Sequence, residues 1–145
     1  MRKRPTWDEY FLNITDVIST RSHDDETQVG CVLVTSDKRI ISTGYNGFPP
    51  GFDDETLPTT RPEKYEYMVH AEANAISFAK NDLKNCTLYC TLTPCTDCVK
   101  LILTSGITRI VCKRSYVGWH NVEKMLKMGN VEIKLINDAI YIGEK

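Results

Sequence analysis

The spacing His70-Ala71-Glu72, followed roughly two dozen residues later by Pro94-Cys95-Thr96-Asp97-Cys98, constrains the fold of this chain more than any other feature. It offers one imidazole and two thiolates, and a catalytic zinc takes three protein ligands and leaves one position open for water. A Cys-x-x-Cys pair at a helix start can place both sulfurs on one ion, and the positive end of the helix dipole favours thiolate over thiol. His70 is expected to begin a helix of its own, so two helix N-termini should converge on one ion. Residues two apart within a helix point in different directions. Glu72 can therefore share His70's site only at a helix end, or with the ion lying between the two directions. The sequence leaves both arrangements open.

The rest of the chain reads as alternating helices and strands. Thr6 and Glu9 form a capping-box pattern. Trp7, Phe11, Ile14 and Ile18 then recur at helical spacing and predict one buried face. Strands are expected over 30–35 and 39–45, with Ser36-Asp37-Lys38 as the hairpin turn between them. From about Asn46 to Glu66 glycine and proline cluster without periodicity, which predicts a long functional loop. A helix should follow from near Val69 to about Lys80, and a strand over 87–92. A second helix should start with Thr93 as N-cap and Pro94 at its first position, and end at Gly106. A strand over 109–113, a helix over 119–127 and a strand over 131–136 complete the order. The tail from Asn137 to Lys145 suits a short helix or a subunit contact. This pattern predicts a single domain over 1–145, an α/β fold in which a five-stranded mixed sheet carries helices on both faces as a three-layer α/β/α sandwich.

Composition removes several function classes. The 145 residues suffice for one ordinary domain with a real core. Lys and Arg total 18 and Asp and Glu 19, a net charge of -1 that gives no basis for extended nucleic-acid contacts. Neither a signal segment nor an apolar run long enough to span a bilayer is evident, so a soluble, cytoplasmic protein is expected. Six cysteines without a secretion signal argue against a disulfide scaffold. Cys31, Cys90 and Cys112 sit in apolar, strand-like runs and are expected to be buried.

A lone Cys-x-x-Cys would fit a redox site or half a zinc ribbon. The combination His-x-Glu with Pro-Cys-x-x-Cys is a known signature of zinc-dependent nucleobase deaminases. The chain resembles the cytidine deaminase superfamily, and within it the deoxycytidylate deaminase family, from about Trp7 to Tyr116. The likeness includes Arg21-Ser22, Gln28-Val29-Gly30, Gly44-Tyr45-Asn46-Gly47 and His70-Ala71-Glu72-Ala73-Asn74-Ala75-Ile76.

The resemblance implies a cytidine deaminase-like fold, one Zn2+ on His70, Cys95 and Cys98, and Glu72 as proton shuttle. The implied reaction is hydrolytic deamination of dCMP to dUMP and ammonia, feeding thymidylate synthesis. Asn46, Ala71 and Tyr116 would contact the nucleotide. Arg21 and Ser22 are candidates for its phosphate side, as charge-assisted and neutral donors. Alternatively, Arg21 closes the first helix in solvent, and Asn46 is a turn residue beside Gly47. The resemblance further implies dCTP as activator and dTTP as inhibitor, bound near Gly44, Tyr45, Asn46 and Gly47 with Mg2+ on the triphosphate, and assembly as a homohexamer. Some relatives hold a second, structural zinc in the long loop. The stretch from Gly47 to Met68 has no Cys and no His, so one zinc per chain is expected, with prolines or neighbouring subunits holding the loop. Rival readings are a deaminase of both dCMP and dCTP, a tRNA adenosine deaminase or a single-stranded DNA deaminase, the last two disfavoured by charge. A non-catalytic zinc-stabilised interaction domain would have no need of Glu72 and would usually close the fourth coordination position.

Overall fold

The structure is a computed structural model that describes residues 1–116 and 118–136. The expected tail from Asn137 to Lys145 lies outside the described residues. Five strands form one mixed sheet in the order β2-β1-β3-β4-β5. They are β1 (Gly30–Val34), β2 (Ile40–Tyr45), β3 (Thr87–Leu92), β4 (Arg109–Arg114) and β5 (Glu132–Leu135). β1 pairs antiparallel with β2 and β3, whereas β3, β4 and β5 run parallel, each joined to the next by a helix. The helices are α1 (Trp7–Ser19), α2 (Ala71–Phe78), α3 (Thr96–Ser105) and α4 (Trp119–Met128). The three-layer sandwich anticipated from the sequence is therefore present.

Strand alternation divides the core in two. Val32, Val34, Tyr89 and Val111 face one side and pack with Phe11 and Leu12 of α1. Their neighbours Cys31, Leu33, Leu88, Cys90, Ile110 and Cys112 face the other side, beneath residues of α2, α3 and α4. Each strand thus serves two cores through its period of two. Cys31, Cys90 and Cys112 are fully buried as expected, and in register across three strands.

Three expectations need correction. The buried line of α1 is Phe11, Leu12 and Thr15, whereas Trp7 is 54% exposed and stacks on Phe11. The helix is turned so that Thr15 meets Gly30, where a Cβ would lie 2.1 Å from the Thr15 carbonyl oxygen. α2 is shorter than predicted. Val69 is held in an extended bridge with Gly47, through bonds of 3.1 and 2.8 Å, and Ala79 turns extended. α3 is capped by Cys95, not Thr93. Thr93 still pairs with β4: its N–H donates to the Arg114 carbonyl, and its hydroxyl accepts from the Tyr116 N–H.

Candidate active site

His70 and Cys95 are both N-cap residues with extended backbone, standing at the first turns of α2 and α3. This settles how His70 and Glu72 share a site: His70 lies just outside the helix and Glu72 inside its first turn, so helical divergence does not separate them. His70 Nδ1 lies 3.4 Å from the sulfurs of both Cys95 and Cys98. All three ligand atoms fall within 4.8 Å of one another, and no other such group of three occurs among the described residues. Tetrahedral zinc, with Zn–S of about 2.3 Å and Zn–N of about 2.0 Å, sets nitrogen and sulfur about 3.5 Å apart. The donor set and its spacing therefore fit zinc.

The electrostatics fit a cation as well. The Cys95 thiol is pulled down to about 4, first by its hydrogen bond with Cys98 and then by His70, against the effect of burial. The same hydrogen bond, together with burial, pushes Cys98 upward. His70 is raised by its bond to Cys95, although burial opposes this. Glu72 is buried, and desolvation raises its carboxyl above the ordinary range. The lowered Cys95 thiol offers a thiolate that can bind a metal, and a carboxyl kept from bulk water can move a proton.

His70, Glu72 and Cys95 line a cavity of about 370 Å³. Its walls also include Val29, Met68, Ala71, Leu92 and Tyr116, together with a charged group of Asp24, Arg61 and Lys64 and the amide of Asn46. The cavity opens beyond the carboxyl end of β3, the usual place for ligands in α/β sheets. Tyr116 is 40% exposed at its edge, and burial raises its phenol to about 12.

Most sequence-derived site residues meet here, and some do not. His70, Ala71, Glu72, Cys95, Asn46 and Tyr116 line the cavity, and Cys98 stands against His70 behind it. Asn46 is buried and has a structural task. Its side-chain oxygen accepts from the Val29 N–H at 2.8 Å, and its amide donates to the Thr27 carbonyl at 2.8 Å and to Asp24 at 3.3 Å. Ser22 donates to the Asn46 carbonyl at 2.8 Å and so supports Asn46 from behind. Arg21 is exposed and lines neither this cavity nor the next. Gly44, Tyr45 and Gly47 line a second cavity of about 350 Å³, while Asn46 faces the first. Sequence reasoning missed Asp24, Arg61 and Lys64. For Arg61 and Lys64 the available signal was basic charge inside the proline-rich loop; Asp24, after α1, gave none.

The fold and the site define a class: an α/β/α sandwich with one imidazole and two thiols, a donor set that fits zinc, at two helix N-termini, and a buried glutamate on the same cavity. The family described as the cytidine and deoxycytidylate deaminase zinc-binding region matches residues 5–114, and the chain belongs to that family. Human deoxycytidylate deaminase is 40% identical over 112 residues, covering 72% of this chain and 63% of the human protein. The matched stretch therefore spans less than two thirds of that relative. Deoxycytidylate deaminase of Mycobacterium phage D29 is 40% identical over 126 residues, 74% of this chain and 94% of the phage protein. Among solved structures, apo dCMP deaminase from cyanophage S-TIM5 has a TM-score of 0.77 at 26% identity, covering 92% of this chain and all of that one.

Proposed function

We propose that this chain, as a single domain over 1–145, is a zinc-dependent hydrolase that converts dCMP to dUMP and ammonia and so feeds thymidylate synthesis. The observation that carries this is the grouping of His70, Cys95 and Cys98 beside a cavity that Glu72 lines together with the charged side chains of Asp24, Arg61 and Lys64. The human and phage relatives named above lend it support.

Zinc held by His70, Cys95 and Cys98 would supply an activated water near neutral pH. Glu72 would take one proton from the attacking water and deliver it to ring nitrogen 3 as the new carbon–oxygen bond forms at carbon 4. It would then pass the second proton, from the hydroxyl now on carbon 4, to the amino group, so that the carbon–nitrogen bond breaks, ammonia leaves and the carbonyl forms. Burial keeps the Glu72 carboxyl from exchanging that proton with bulk solvent. The apolar wall of Val29, Met68 and Leu92 receives the ring. The charged part of the lining receives the sugar phosphate, with Asn46 and Tyr116 on the same lining.

Regulation by dCTP and dTTP belongs to the same reading. The cavity lined by Gly44, Tyr45 and Gly47 supports it. That lining includes Asp54 and, among the described residues, no cation, so a triphosphate there would come with Mg2+. Assembly as a homohexamer is supported by Phe52 and Phe78, which line the same cavity and stay exposed. A cytoplasmic location is supported by six free cysteines. No described helix is long and apolar enough to cross a membrane.

The test is ammonia release from dCMP, dCTP, deoxycytidine and RNA side by side, with and without dCTP or dTTP as effector. Turnover should be greatest with dCMP and respond to the triphosphates. Glu72→Gln should lower kcat by at least ~100-fold, the lower range of general acid–base contributions, while zinc stays stoichiometric. Full activity in that variant would remove Glu72 from the mechanism.

A further inference from the structure

We propose that Arg61 recognises the phosphate of the substrate and so selects a nucleotide over the unphosphorylated nucleoside. This rests on the deaminase reading of the same cavity. Arg61 and Lys64 both line the cavity, and the structure gives them different tasks. The Lys64 ammonium has three protons and three acceptors in reach: both Asp24 oxygens at 3.0 and 2.8 Å, and Glu26 at 3.2 Å. The Lys64 and Asp24 side chains are only 4% and 1% exposed. Drawing Lys64 toward a ligand would leave a buried carboxylate uncompensated, which is strongly unfavourable.

Arg61 is placed for exchange. Its pair with Glu26 spans 3.0 Å, with side chains 48% and 31% exposed, and an exposed pair of this kind adds little stability. A phosphate dianion offers the guanidinium a more highly charged, bidentate partner. Two further bonds hold the head group at the rim while the partner changes, Nε to the Tyr65 hydroxyl at 2.7 Å and Nη2 to the Thr27 hydroxyl at 3.1 Å. Both Tyr65 and Thr27 line the cavity. Glu26 is not left alone by the exchange. It still accepts from the Arg61 backbone N–H at 2.9 Å and from Lys64. Arg21, the candidate from sequence, stands outside the lining and has no such geometry.

The test titrates the zinc-loaded protein calorimetrically with dUMP and with deoxyuridine, alongside ammonia release from dCMP and deoxycytidine. Wild type should bind dUMP more tightly than deoxyuridine. Arg61→Ala should reduce that preference roughly 10- to 100-fold, and Arg61→Lys should restore part of it. If Arg61→Ala unfolds, Arg61→Gln reads the same ratio with a side chain that can still reach Thr27 or Tyr65. An unchanged ratio in the folded variants overturns the assignment, as does a wild type that binds both ligands equally. A wild type with an Arg61-dependent preference for dUMP but no ammonia from dCMP upholds the phosphate assignment and defeats the deaminase reading alone.

Discussion

Lys64 ties the long loop to the segment after α1. It belongs to the short 3-10 turn Glu63–Glu66, and its ammonium reaches the turn that follows α1, where Asp24 waits. Burial pushes the Asp24 carboxyl up. The Lys64 ammonium and the backbone N–H groups of Thr27 and Glu26 outweigh this and hold it below its ordinary value. Because the pair is desolvated, removing one partner costs far more than the pair gains over an apolar substitute. Lys64→Met should therefore cost about 3–5 kcal/mol in urea unfolding. Asp24→Asn in the same background should cost much less than it does alone, because it neutralises the carboxylate that Lys64→Met leaves unpaired. If the two losses simply add to within about 0.5 kcal/mol, the residues are not coupled and the loop is held by something else.

At the scale of elements, the site depends on how closely α2 lies over β2. Gly44 permits the approach: a Cβ there would stand 2.5 Å from both the Ala71 carbonyl oxygen and the Ala75 nitrogen, each of them backbone. Gly44→Ala should lift the first turn of α2 and carry His70 and Glu72 away from α3. Stability should fall by about 1–3 kcal/mol, the range for overpacking, and zinc should be lost more readily to a competing chelator. Lost stability with unchanged zinc affinity would show that the two helix starts are positioned independently of the sheet.

The same scale shows what the sequence could reveal. β3, β4, α4 and the Thr6 capping box were legible because their signals are local: an apolar run, a helical period, and a cap with its partner three residues on. The grouping of His70, Cys95 and Cys98 was legible because their spacing in the sequence is specific. Thr93 misled because a Thr-Pro pair has the chemistry of a helix start, while its actual bonds run to Arg114 and Tyr116, beyond any local window. Trp7 misled because helical period gives a stripe but not the rotation that packing against Gly30 imposes. The Asp24–Lys64 pair spans 40 residues, and no periodicity relates two such positions.

Across the whole molecule, one face of the sheet is covered by a single helix among the described residues, so the anchoring of α1 bears on the entire fold. Beyond its apolar contacts, α1 presents Asp8 to three parts of the sheet. Asp8 takes two bonds from Arg109 of β4, at 3.0 and 2.8 Å, one from the Tyr89 hydroxyl of β3 at 2.6 Å, and one from Lys134 of β5 at 3.3 Å. Arg109 above all holds the Asp8 carboxyl well below the usual carboxylate range, with burial opposing and Tyr89 assisting. In the unfolded chain the group titrates near about 3.9. A carboxylate whose folded value lies lower contributes stability that is complete above that unfolded value. The contribution is lost as pH falls from there through the folded value. Asp8→Asn keeps the shape of the side chain but not its charge, so it should cost about 2 kcal/mol at neutral pH, within the range for charge-assisted bonds. The difference from wild type should shrink below about pH 4, as wild-type Asp8 itself begins to take up its proton. Chemical denaturation of both proteins from pH 7 down to pH 3 measures this directly. A loss that stays constant across that range would mean that Asp8 acts through the shape and neutral hydrogen bonds of its side chain and not through its charge.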